Sequence, residues 1–350
     1  MNARFSGKEI ADFCHFLARE YGLCFAPTRY SFVENRIGPL LNAFCCQTPA
    51  ELLHKAKTDL ALRVELLNTL TTNETWFFRH PQHFLILKNH VLRELVEYKR
   101  KIDNKQLSIW SAGCSTGAET YSLLFAVLDC INPAEFNIQI TGSDISSDAL
   151  KTARIACYNK HDLRITGQEV LHKYFIEKPD DTWQIKQEIL KYTKFELLNL
   201  LKSWPARTFD IIFCRNTMIY FDNASKTSLT QRFLSALNPG GYFFTSANET
   251  IHMNDDADLK KLFIENEIIY QRSSVKIEYQ VLKFATPSDL LRALNLLQNH
   301  GFEYHLEKIH QAHNLAPTRA IYLNRRDIDK VKELFALNAI KLGNSVTAGQ

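Results

Sequence analysis

The chain contains 350 residues, of which 45% are hydrophobic and 23% charged, with a formal net charge of +4. This composition predicts a soluble globular protein with one large core or two to three smaller ones, and the small net charge does not indicate a nucleic-acid partner. A cytoplasmic location is expected, because no apolar run reaches the roughly 20 residues of a membrane-spanning helix and the first residues lack the apolar segment of a signal peptide. Eight scattered cysteines without a CxxC pair favour reduced, mostly buried thiols.

The first 72 residues carry helical patterns without a strand signal, and we expect them to form a small helical domain. Thr48-Pro49-Ala50-Glu51 has the pattern of a capping box with proline at the first helical position. Five basic residues of this region could form a docking face or simply a solvated helix surface, and the sequence leaves both possibilities open. They are Arg29, Arg36, Lys55, Lys57 and Arg63.

From Gln106 onward, short apolar strands alternate with amphipathic helices, as in LSIWSAGC, NIQITGSDI, FDIIFCRN and GGYFFTSA. This alternation predicts an α/β domain with a mainly parallel sheet that is covered by helices on both faces. Ligands of such sheets bind beyond the carboxyl ends of the strands. Residues at those ends are therefore the first functional candidates.

Two smaller regions interrupt or follow the alternation. The strand-rich stretch at about residues 171–200 predicts an inserted antiparallel β subdomain, and the βαββα order of residues 273–342 predicts a small C-terminal α/β extension of unknown role. Four histidines of this extension fit neither HExxH nor a helical i, i+4 repeat, so surface histidines and no metal site are expected. They are His300, His305, His310 and His313.

The ends of the first two strands carry glycines and acidic residues. Gly113 and Gly117 allow a tight turn close to a ligand, and Glu119 begins the following helix, although the turn matches neither GxGxxG nor a phosphate loop. Asp144 ends the second strand, where a carboxylate can accept both hydroxyls of a ribose. The alternatives are a plain structural turn and an aspartate that caps the helix starting near Ser147. Together these residues fit a ligand with an adenosine and no diphosphate, such as S-adenosylmethionine.

A third strand, FDIIF, is followed directly by CRNTMIYFD. Arg215, Asn216 and Tyr220 therefore stand at the carboxyl end of a central strand, where a cofactor and an acceptor would meet. The alternative is a loop whose polar groups only satisfy backbone groups.

Five motifs, in this order, resemble those of the CheR-type chemotaxis receptor methyltransferases. They are TNETWFFR (72–79), WSAGCSTGAETYS (110–122), GSDIS (142–146), FELLNLL (195–201) and FDIIFCRNTMIYFD (209–222). The resemblance covers roughly residues 12–272 and implies an S-adenosylmethionine-dependent methyltransferase (Rossmann-like) domain over residues 73–272. It also implies an enzyme that methylates glutamate side chains on the cytoplasmic helices of chemotaxis receptors, forming methyl esters and S-adenosylhomocysteine.

The resemblance further implies a set of site residues. The cofactor pocket is expected at Asn73, Thr75, Arg79, Glu119, Asp144, Asn199, Leu200, Arg215 and Asn216. Arg79 and Tyr220 are expected beside the transferred methyl group. Because a glutamate carboxylate is already ionised near neutral pH, transfer needs alignment and exclusion of water rather than a general base. Arg79 could orient the carboxylate, and Tyr220 could donate a hydrogen bond or face the sulfonium.

The aromatic residues Trp76, Phe77 and Phe78 precede Arg79 in the first motif. We expect them to wedge the segment against the sheet domain while Arg79 points inward.

The chain departs from the family pattern at three places. Ser246-Ala247-Asn248-Glu249 stands where the family has Gly-His-Ser-Glu, and His80 stands where an acidic residue usually follows the arginine. The tail after Arg272 has no counterpart in the minimal enzyme. These departures bear on turnover and acceptor identity more than on cofactor binding.

Two other functions compete with this interpretation. A nucleic-acid amino-methyltransferase would carry an Asn/Asp-Pro-Pro-aromatic motif, and Asn216-Thr217-Met218-Ile219 contains no proline. A non-catalytic CheR-like protein would bind S-adenosylmethionine or a receptor without turnover, but the presence of Arg79 and Tyr220 favours an enzyme. Receptor helices are the expected partner, with no nucleic acid, no membrane insertion and a monomeric state.

Overall fold

A computed structural model describes residues 5–246, 249, 259–273, 279–283, 286–300, 304–309, 318–324 and 328–340. The chain divides into two compact units, Met1–Ser274 and Val275–Gln350. No helix among the described residues is both long enough and apolar enough to cross a membrane.

The first unit begins with a helical region. Its helices are α1 (Gly7–Tyr21), α2 (Tyr30–Ala43), α3 (Pro49–Thr58) and α4 (Leu60–Leu70). Thr48 caps α3, since its Oγ1 accepts from the backbone N–H of Glu51 at 3.2 Å. Glu51 Oε2 accepts from the backbone N–H of Gln47 at 2.7 Å and not from that of Thr48, so only half of the predicted capping box is formed. The helices enclose their own core, which includes Leu17 and Ile37. The predicted helical region is confirmed.

Several of its basic residues make local contacts. Arg29 lies over the ring of Phe32, with Cζ 4.7 Å from the ring centroid, and Arg63 Nη2 donates to the carbonyl of Lys57 at 2.7 Å. Such contacts suit a solvated helix surface as well as a docking face, so a docking face stays a prediction.

A linker follows α4 and leads into α5 (Pro81–Ile86), a π-helical turn (Leu87–Val91) and α6 (Leu92–Lys101). Phe77 is fully buried in this linker, and its ring packs edge-on against Tyr158 and Phe175 at centroid distances of 4.7 and 5.4 Å. Phe78 packs against Phe84 at 5.3 Å. Phe77 and Phe78 therefore pack the linker against the sheet domain, as the sequence predicts.

The remaining elements of the first unit form an α/β domain. Its strands are β1 (Gln106–Ala112), β2 (Asn137–Asp144), β3 (Cys157–Tyr158), β4 (Phe175–Glu177), β5 (Trp183–Ile185), β6 (Thr193–Leu197), β7 (Phe209–Phe213), β8 (Leu237–Phe244), β9 (Leu259–Ile264) and β10 (Glu267–Arg272). Its helices are α7 (Ala118–Cys130), α8 (Ser147–Ile155), α9 (Gln168–Tyr174), α10 (Gln187–Leu190) and α11 (Asn223–Ala236). The described strands form a seven-stranded sheet in the order β6-β2-β1-β7-β8-β10-β9. The first five of these strands pair in parallel, whereas β10 pairs antiparallel with both of its neighbours, β8 and β9.

Helices cover both faces of this sheet. Ile109 and Phe213 belong to the apolar cluster that includes α7, whereas Trp110 and Ile212 belong to the cluster that includes Phe233 of α11. Successive strand residues point to opposite faces, which explains this alternation. The predicted mainly parallel α/β sheet is confirmed.

The inserted antiparallel sheet lies earlier in the chain than the expected residues 171–200. Its strands run in the order β3-β5-β4 and fall within residues 157–185. Thr193–Leu197, part of the expected insert, is β6 and pairs in parallel with β2 in the main sheet. An edge strand has one unpaired side and lacks the continuous apolar pattern of a central parallel strand, so the sequence pattern of β6 does not by itself indicate a strand of the main sheet.

The second unit has the predicted βαββα order. Its elements are β11 (Tyr279–Lys283), α12 (Pro287–Asn299), β12 (Tyr304–Ile309), β13 (Thr318–Asn324) and α13 (Ile328–Leu337). The strands form an antiparallel sheet in the order β11-β13-β12, and Ala293, Val331 and Phe335 are buried between the helices. His310 and His313 lie outside the described residues, as does the side chain of His305. Within the described part of the chain no cluster of His, Cys, Asp and Glu could hold a metal ion.

All eight cysteines are described, and all are free thiols. Four are buried, but Cys45 and Cys130 are exposed. The expectation of mostly buried thiols was therefore too strong, because Cys130 ends α7, beyond the buried part of that helix.

Candidate active site

The strand order creates a topological switch point between β1 and β7. After β1 the chain moves to β2 on one side, and it later returns to β7 on the other side of β1. Open α/β sheets bind ligands at the carboxyl ends of the strands that flank such a point. Glu119 follows β1, Asp144 ends β2 and Arg215 follows β7, so three charged residues meet at this edge.

A cleft of about 270 Å³ opens at the same edge. It is lined by all ten predicted site residues, namely Asn73, Thr75, Arg79, Glu119, Asp144, Asn199, Leu200, Arg215, Asn216 and Tyr220. These residues come from five separate segments of the chain. The structure therefore brings the predicted set together in one place.

The two glycines of the β1–α7 turn have different surroundings. Gly113 lines the cleft with φ +81°, and an added Cβ would lie 2.1 Å from Thr217 Oγ1, so a side chain does not fit there. Gly117 begins α7 with φ +88°, and an added Cβ would lie 2.8 Å from the Cβ of Ala153 in α8. Gly113 thus shapes the cleft, whereas Gly117 allows two helices to pack closely.

Asp144 is held by backbone amides on both carboxylate oxygens. Its Oδ2 accepts from the N–H of Ser115 and its Oδ1 from the N–H of Ser146, each at 2.8 Å. Burial raises the pKa of Asp144, and these two hydrogen bonds oppose that shift. Because a carboxylate has about four acceptor positions, capacity remains for a bound hydroxyl. The alternative that Asp144 caps α8 is wrong, since Ser146 Oγ accepts from the N–H of Ala149 at 3.2 Å.

Glu119 and Arg215 form an ion pair in the cleft. Arg215 Nε lies 3.2 Å from Glu119 Oε2, and the two side chains are 1% and 13% exposed. Ser111 Oγ donates to Glu119 Oε1 at 2.8 Å. Burial raises the pKa of Glu119, while Arg215 and the hydroxyl of Ser111 act in the opposite direction. Arg215 Nε makes no aligned hydrogen bond within the described residues, so the pair is held by charge attraction.

Arg79 stacks on Trp76 at the cleft. Its Cζ lies 4.4 Å from the centroid of Trp76, and its Nη1 donates to the carbonyl of Glu74 at 3.0 Å. Arg79 Nε is buried and has no hydrogen-bond partner in the part of the chain that the structure describes. Trp76 itself lines the cleft, so it does more than pack as the sequence predicted. No sequence signal separates it from the packing residues Phe77 and Phe78.

The turn after β7 contains a residue in the left-handed conformation. Asn216 has φ +56°, which is uncommon for a residue with a side chain. Its backbone N–H lies 2.9 Å from both Ser246 Oγ and Glu249 Oε2, and the N–H of Ile219 donates to Glu249 Oε1 at 3.2 Å. Glu249 is 2% exposed, so the one residue retained from the Gly-His-Ser-Glu run supports this turn. Ala247 and Asn248 lie outside the described residues.

The helical region contributes a wall that sequence reasoning missed. Tyr21, Gly22 and Leu23 line the cleft, and the N–H of Cys24 donates to the carbonyl of Tyr220 at 2.9 Å. Gly22 ends α1 with φ +75°, and an added Cβ would clash with the ring of Phe221. A glycine after an amphipathic helix was the available signal, but it predicts a helix end and not a contact with a distant loop.

Two of the three asparagines predicted at the cleft, Asn73 and Asn199, donate hydrogen bonds to protein groups. Asn73 Nδ2 donates to Ser146 Oγ at 3.3 Å, and Asn199 Nδ2 donates to the carbonyl of Glu20 at 3.2 Å. Their amide N–H groups therefore fix the walls of the cleft. The same is true of Asn199 Oδ1, which accepts from the N–H of Leu201 at 2.9 Å, and of the carbonyl of Asn73, which accepts from Ser115 Oγ at 3.1 Å.

The residues of the cleft fit S-adenosylmethionine. Asp144 has spare acceptor positions for a ribose diol, and Glu119 offers a carboxylate to a cationic group. The tight turn at Gly113, whose side-chain space is filled by Thr217, does not form a phosphate-binding loop. Fold and site together define a class, the α/β domains that bind a nucleoside cofactor at the sheet edge, as methyltransferases do.

Comparison with known proteins gives the family. The profile of the CheR methyltransferase, SAM binding domain, matches residues 73–268, and that of the CheR methyltransferase, all-alpha domain, matches residues 8–71. The chain is 30% identical to the chemotaxis protein methyltransferase of Borreliella burgdorferi, over 74% of this chain and 93% of that protein. It is 32% identical to chemotaxis protein methyltransferase 1 of Vibrio cholerae, over 70% of this chain and 90% of that protein.

Among solved structures, the glycopeptide N-methyltransferase MtfA matches 69% of this chain and 97% of that chain, with 13% identity and a TM-score of 0.28, a likeness too distant to inform the site.

The chain belongs to the CheR methyltransferase family. Its cofactor is S-adenosylmethionine, and the predicted methyltransferase fold is confirmed.

Proposed function

We propose that this protein transfers methyl groups to glutamate side chains on the cytoplasmic helices of chemotaxis receptors, yielding glutamate methyl esters and S-adenosylhomocysteine. It would do so in the cytoplasm as a monomer. The family supports the reaction class, and the related proteins are chemotaxis protein methyltransferases, which supports a chemotaxis receptor as the acceptor.

One observation carries the proposal. Arg79 and Tyr220 line the same cleft as Glu119 and Asp144, although the four residues come from distant segments. The buried Nε of Arg79 lacks a hydrogen-bond partner among the described residues, and an unpaired buried donor costs about 1–3 kcal/mol. An acceptor carboxylate at this position would relieve that cost.

In this proposal S-adenosylmethionine supplies an electrophilic methyl group on a sulfonium. Arg79 orients the acceptor carboxylate through its guanidinium, which the ring of Trp76 and the carbonyl of Glu74 already restrain. A tight bidentate grip would weaken the nucleophile, so an orienting contact is expected. Tyr220 lies half-buried at the cleft, and its hydroxyl or ring would complete the transfer position.

The cofactor pocket would use Asp144 and Glu119 as acceptors, with Asn73, Thr75, Asn199, Leu200, Arg215 and Asn216 shaping its walls. The segment that follows α1 closes one side of this cleft and would keep water from the transfer position.

The deciding experiment uses the full chain, labelled S-adenosylmethionine and receptor-bearing membranes. Transfer should give label on the receptors that mild base releases as methanol, because carboxyl methyl esters are base-labile. A matched control uses receptors whose acceptor glutamates are replaced by alanine, and these should stay unlabelled. Base-stable label would contradict the glutamate acceptor.

Calorimetry with S-adenosylhomocysteine distinguishes an enzyme from a non-catalytic binding protein. Heat of binding without any transfer to several receptors would favour the non-catalytic CheR-like protein. Absence of binding for both S-adenosylmethionine and its product would contradict the proposed pocket itself.

A further inference from the structure

Arg215 is an unusually constrained cation. Its side chain is 1% exposed, and its guanidinium is surrounded by three different partners. Nη2 donates to the backbone carbonyl of Arg79, Nη1 lies 3.4 Å from His83 Nδ1, and Nε lies 3.2 Å from Glu119 Oε2. Arg215 therefore restrains the carboxylate of Glu119, which is expected to bind the cofactor. It also restrains the backbone of Arg79, which is expected to be catalytic.

His83 stands behind this cation. It belongs to α5, its side chain is 3% exposed, and its ring packs edge-on against Phe244 at a centroid distance of 5.6 Å. Its Nε2 lies 3.2 Å from Glu267 Oε2 of β10. His83 does not line the cleft, so it would touch neither the cofactor nor an acceptor.

The partners of His83 fix its tautomer. An arginine N–H can only donate, so Nδ1 must accept, and the ring proton must therefore lie on Nε2, where it can donate to Glu267. Burial, together with the cation of Arg215 and the neighbouring His80, lowers the pKa of His83 to about 3. The neutral ring is the form that this arrangement requires.

We propose that His83 is a positioning residue for cofactor binding, which holds the guanidinium of Arg215 through Nδ1 and thereby holds Glu119 in the cleft. The assignment of Arg215 and Glu119 to the cofactor pocket comes from the proposed function, and this inference rests on it. The path of contacts runs from Glu267 on β10 through His83 to Arg215 after β7 and ends at Glu119.

Two amide substitutions separate the two sides of the ring. In His83→Asn the amide oxygen falls near the position of Nδ1 and can still accept from Arg215. In His83→Gln the amide falls near the position of Nε2, so the contact with Glu267 remains while the contact with Arg215 is lost. The measurement is calorimetry of S-adenosylhomocysteine binding to the full chain, without any receptor.

We expect His83→Asn to bind within about threefold of the natural protein and His83→Gln to bind roughly tenfold more weakly, the scale of one lost hydrogen bond to a charged group. Equal affinity for the two variants, or weaker binding by His83→Asn, would overturn the inference.

Val91→Ala controls for a merely structural effect. Val91 is 1% exposed in the same apolar cluster as Phe84, and its side chain carries no polar atom that could take part in this path. It should lower the unfolding temperature and leave the affinity unchanged, whereas a matching loss of affinity would overturn the positioning role of His83. Glu119→Gln tests the assignment of Glu119 to the cofactor pocket, on which this inference rests. Unchanged binding by that variant would contradict the proposed pocket. This outcome can be told apart from equal binding by His83→Asn and His83→Gln, which contradicts only the role of His83.

Discussion

A buried ion pair lies at each end of the neighbouring strands β1 and β7. The two pairs differ in how many of their hydrogen-bonding positions are filled by protein groups. At the amino end, Lys99 Nζ lies 2.8 Å from Asp210 Oδ1, with both side chains 5% exposed. Asp210 also accepts from the N–H of Ser108 at 2.9 Å and from Asn238 Nδ2 at 2.8 Å. At the carboxyl end, Glu119 and Arg215 are 3.2 Å apart, and Arg215 Nε has no aligned partner in the described region.

This difference separates a structural pair from a functional one. The carboxylate of Asp210 accepts from three protein groups, so the pair joins α6, β1, β7 and β8, and Asp210 does not line the cleft. Glu119 has a single hydroxyl donor and an arginine at one oxygen, and it faces the cleft. The two ion pairs are thus similar in burial and charge. What distinguishes the pair at the cleft is that its groups still have hydrogen-bonding positions that no protein group fills.

The largest effect is expected at the amino end. Asp210→Asn keeps an acceptor for Ser108 but leaves the ammonium of Lys99 buried without its counter-charge. We expect the free energy of unfolding to fall by about 3–5 kcal/mol, measured by urea denaturation. Binding of S-adenosylhomocysteine by the folded fraction should not change.

Asp59→Ala is the matched control, because Asp59 is a half-buried cap of α4 and its loss should cost only about 1 kcal/mol. If Asp210→Asn were no more destabilising than this cap, the amino-end pair would not be a structural element.

The next effect should appear in catalysis and not in stability. Arg79→Ala removes the guanidinium that would orient the acceptor, so kcat/KM for receptor methylation should fall by about 30- to 150-fold, or about 2–3 kcal/mol. Binding of S-adenosylhomocysteine should remain. Steady-state kinetics and calorimetry on the same preparation measure the two quantities.

Arg164→Ala provides the comparison, since Arg164 also stacks on Trp76, with Cζ 3.8 Å from the ring centroid, but does not line the cleft. An equal loss of kcat/KM in both variants would show that stacking, and not contact with the acceptor, explains the effect of Arg79.

The comparison also shows what the sequence could predict. Glu119, Asp144 and Arg215 follow apolar strands, and the rule that parallel strands present their carboxyl ends at one edge is enough to bring them together. Gly22 and Glu249 escaped functional assignment, because each acts through a contact with a loop far away in the chain. Periodicity reports which face of an element is buried, but it does not report which distant segment covers that face.

The same limit explains β6 and His83. The alternation within β6 suits an antiparallel strand, and only its pairing with β2 assigns it to the main sheet. His83 sits in a short helix without a recognisable motif, and its significance depends on Arg215 and Glu267, which lie in other elements. Tertiary hydrogen bonds of this kind leave no periodic trace in the sequence.

A smaller effect tests the spare capacity of Asp144. Its raised pKa means that ionisation is disfavoured in the folded state, so its contribution to stability is present below the ordinary value of about 3.9 and is lost as the pH rises through the raised value. At neutral pH the ionised carboxylate therefore costs stability. Asp144→Asn removes this cost but gives up one of the two backbone hydrogen bonds, because its NH2 group cannot accept from Ser115 or Ser146. Its unfolding temperature, compared with that of the natural protein, should therefore be higher at pH 7 than at a pH below the ordinary pKa.

The same variant should bind S-adenosylhomocysteine about tenfold more weakly, because an amide accepts weaker hydrogen bonds than a carboxylate. Asp148→Asn, an exposed substitution in the first turn of α8, should change neither quantity. A less stable Asp144→Asn protein with unchanged affinity would make Asp144 a structural residue like Asp210.

The smallest effect is expected for Tyr220→Phe, which removes the hydroxyl and keeps the ring. The carbonyl of Tyr220 accepts from the N–H of Cys24, and this backbone contact does not depend on the hydroxyl, so the cleft wall should be preserved. Loss of one neutral hydrogen bond corresponds to about 0.5–1.5 kcal/mol, so kcat should fall by about two- to tenfold while KM changes little.

Tyr98→Phe, at an exposed tyrosine of α6, is the control and should keep full activity. Full activity of Tyr220→Phe would limit Tyr220 to packing through its ring, whereas a loss of more than a hundredfold would mean that the hydroxyl contributes as much as Arg79.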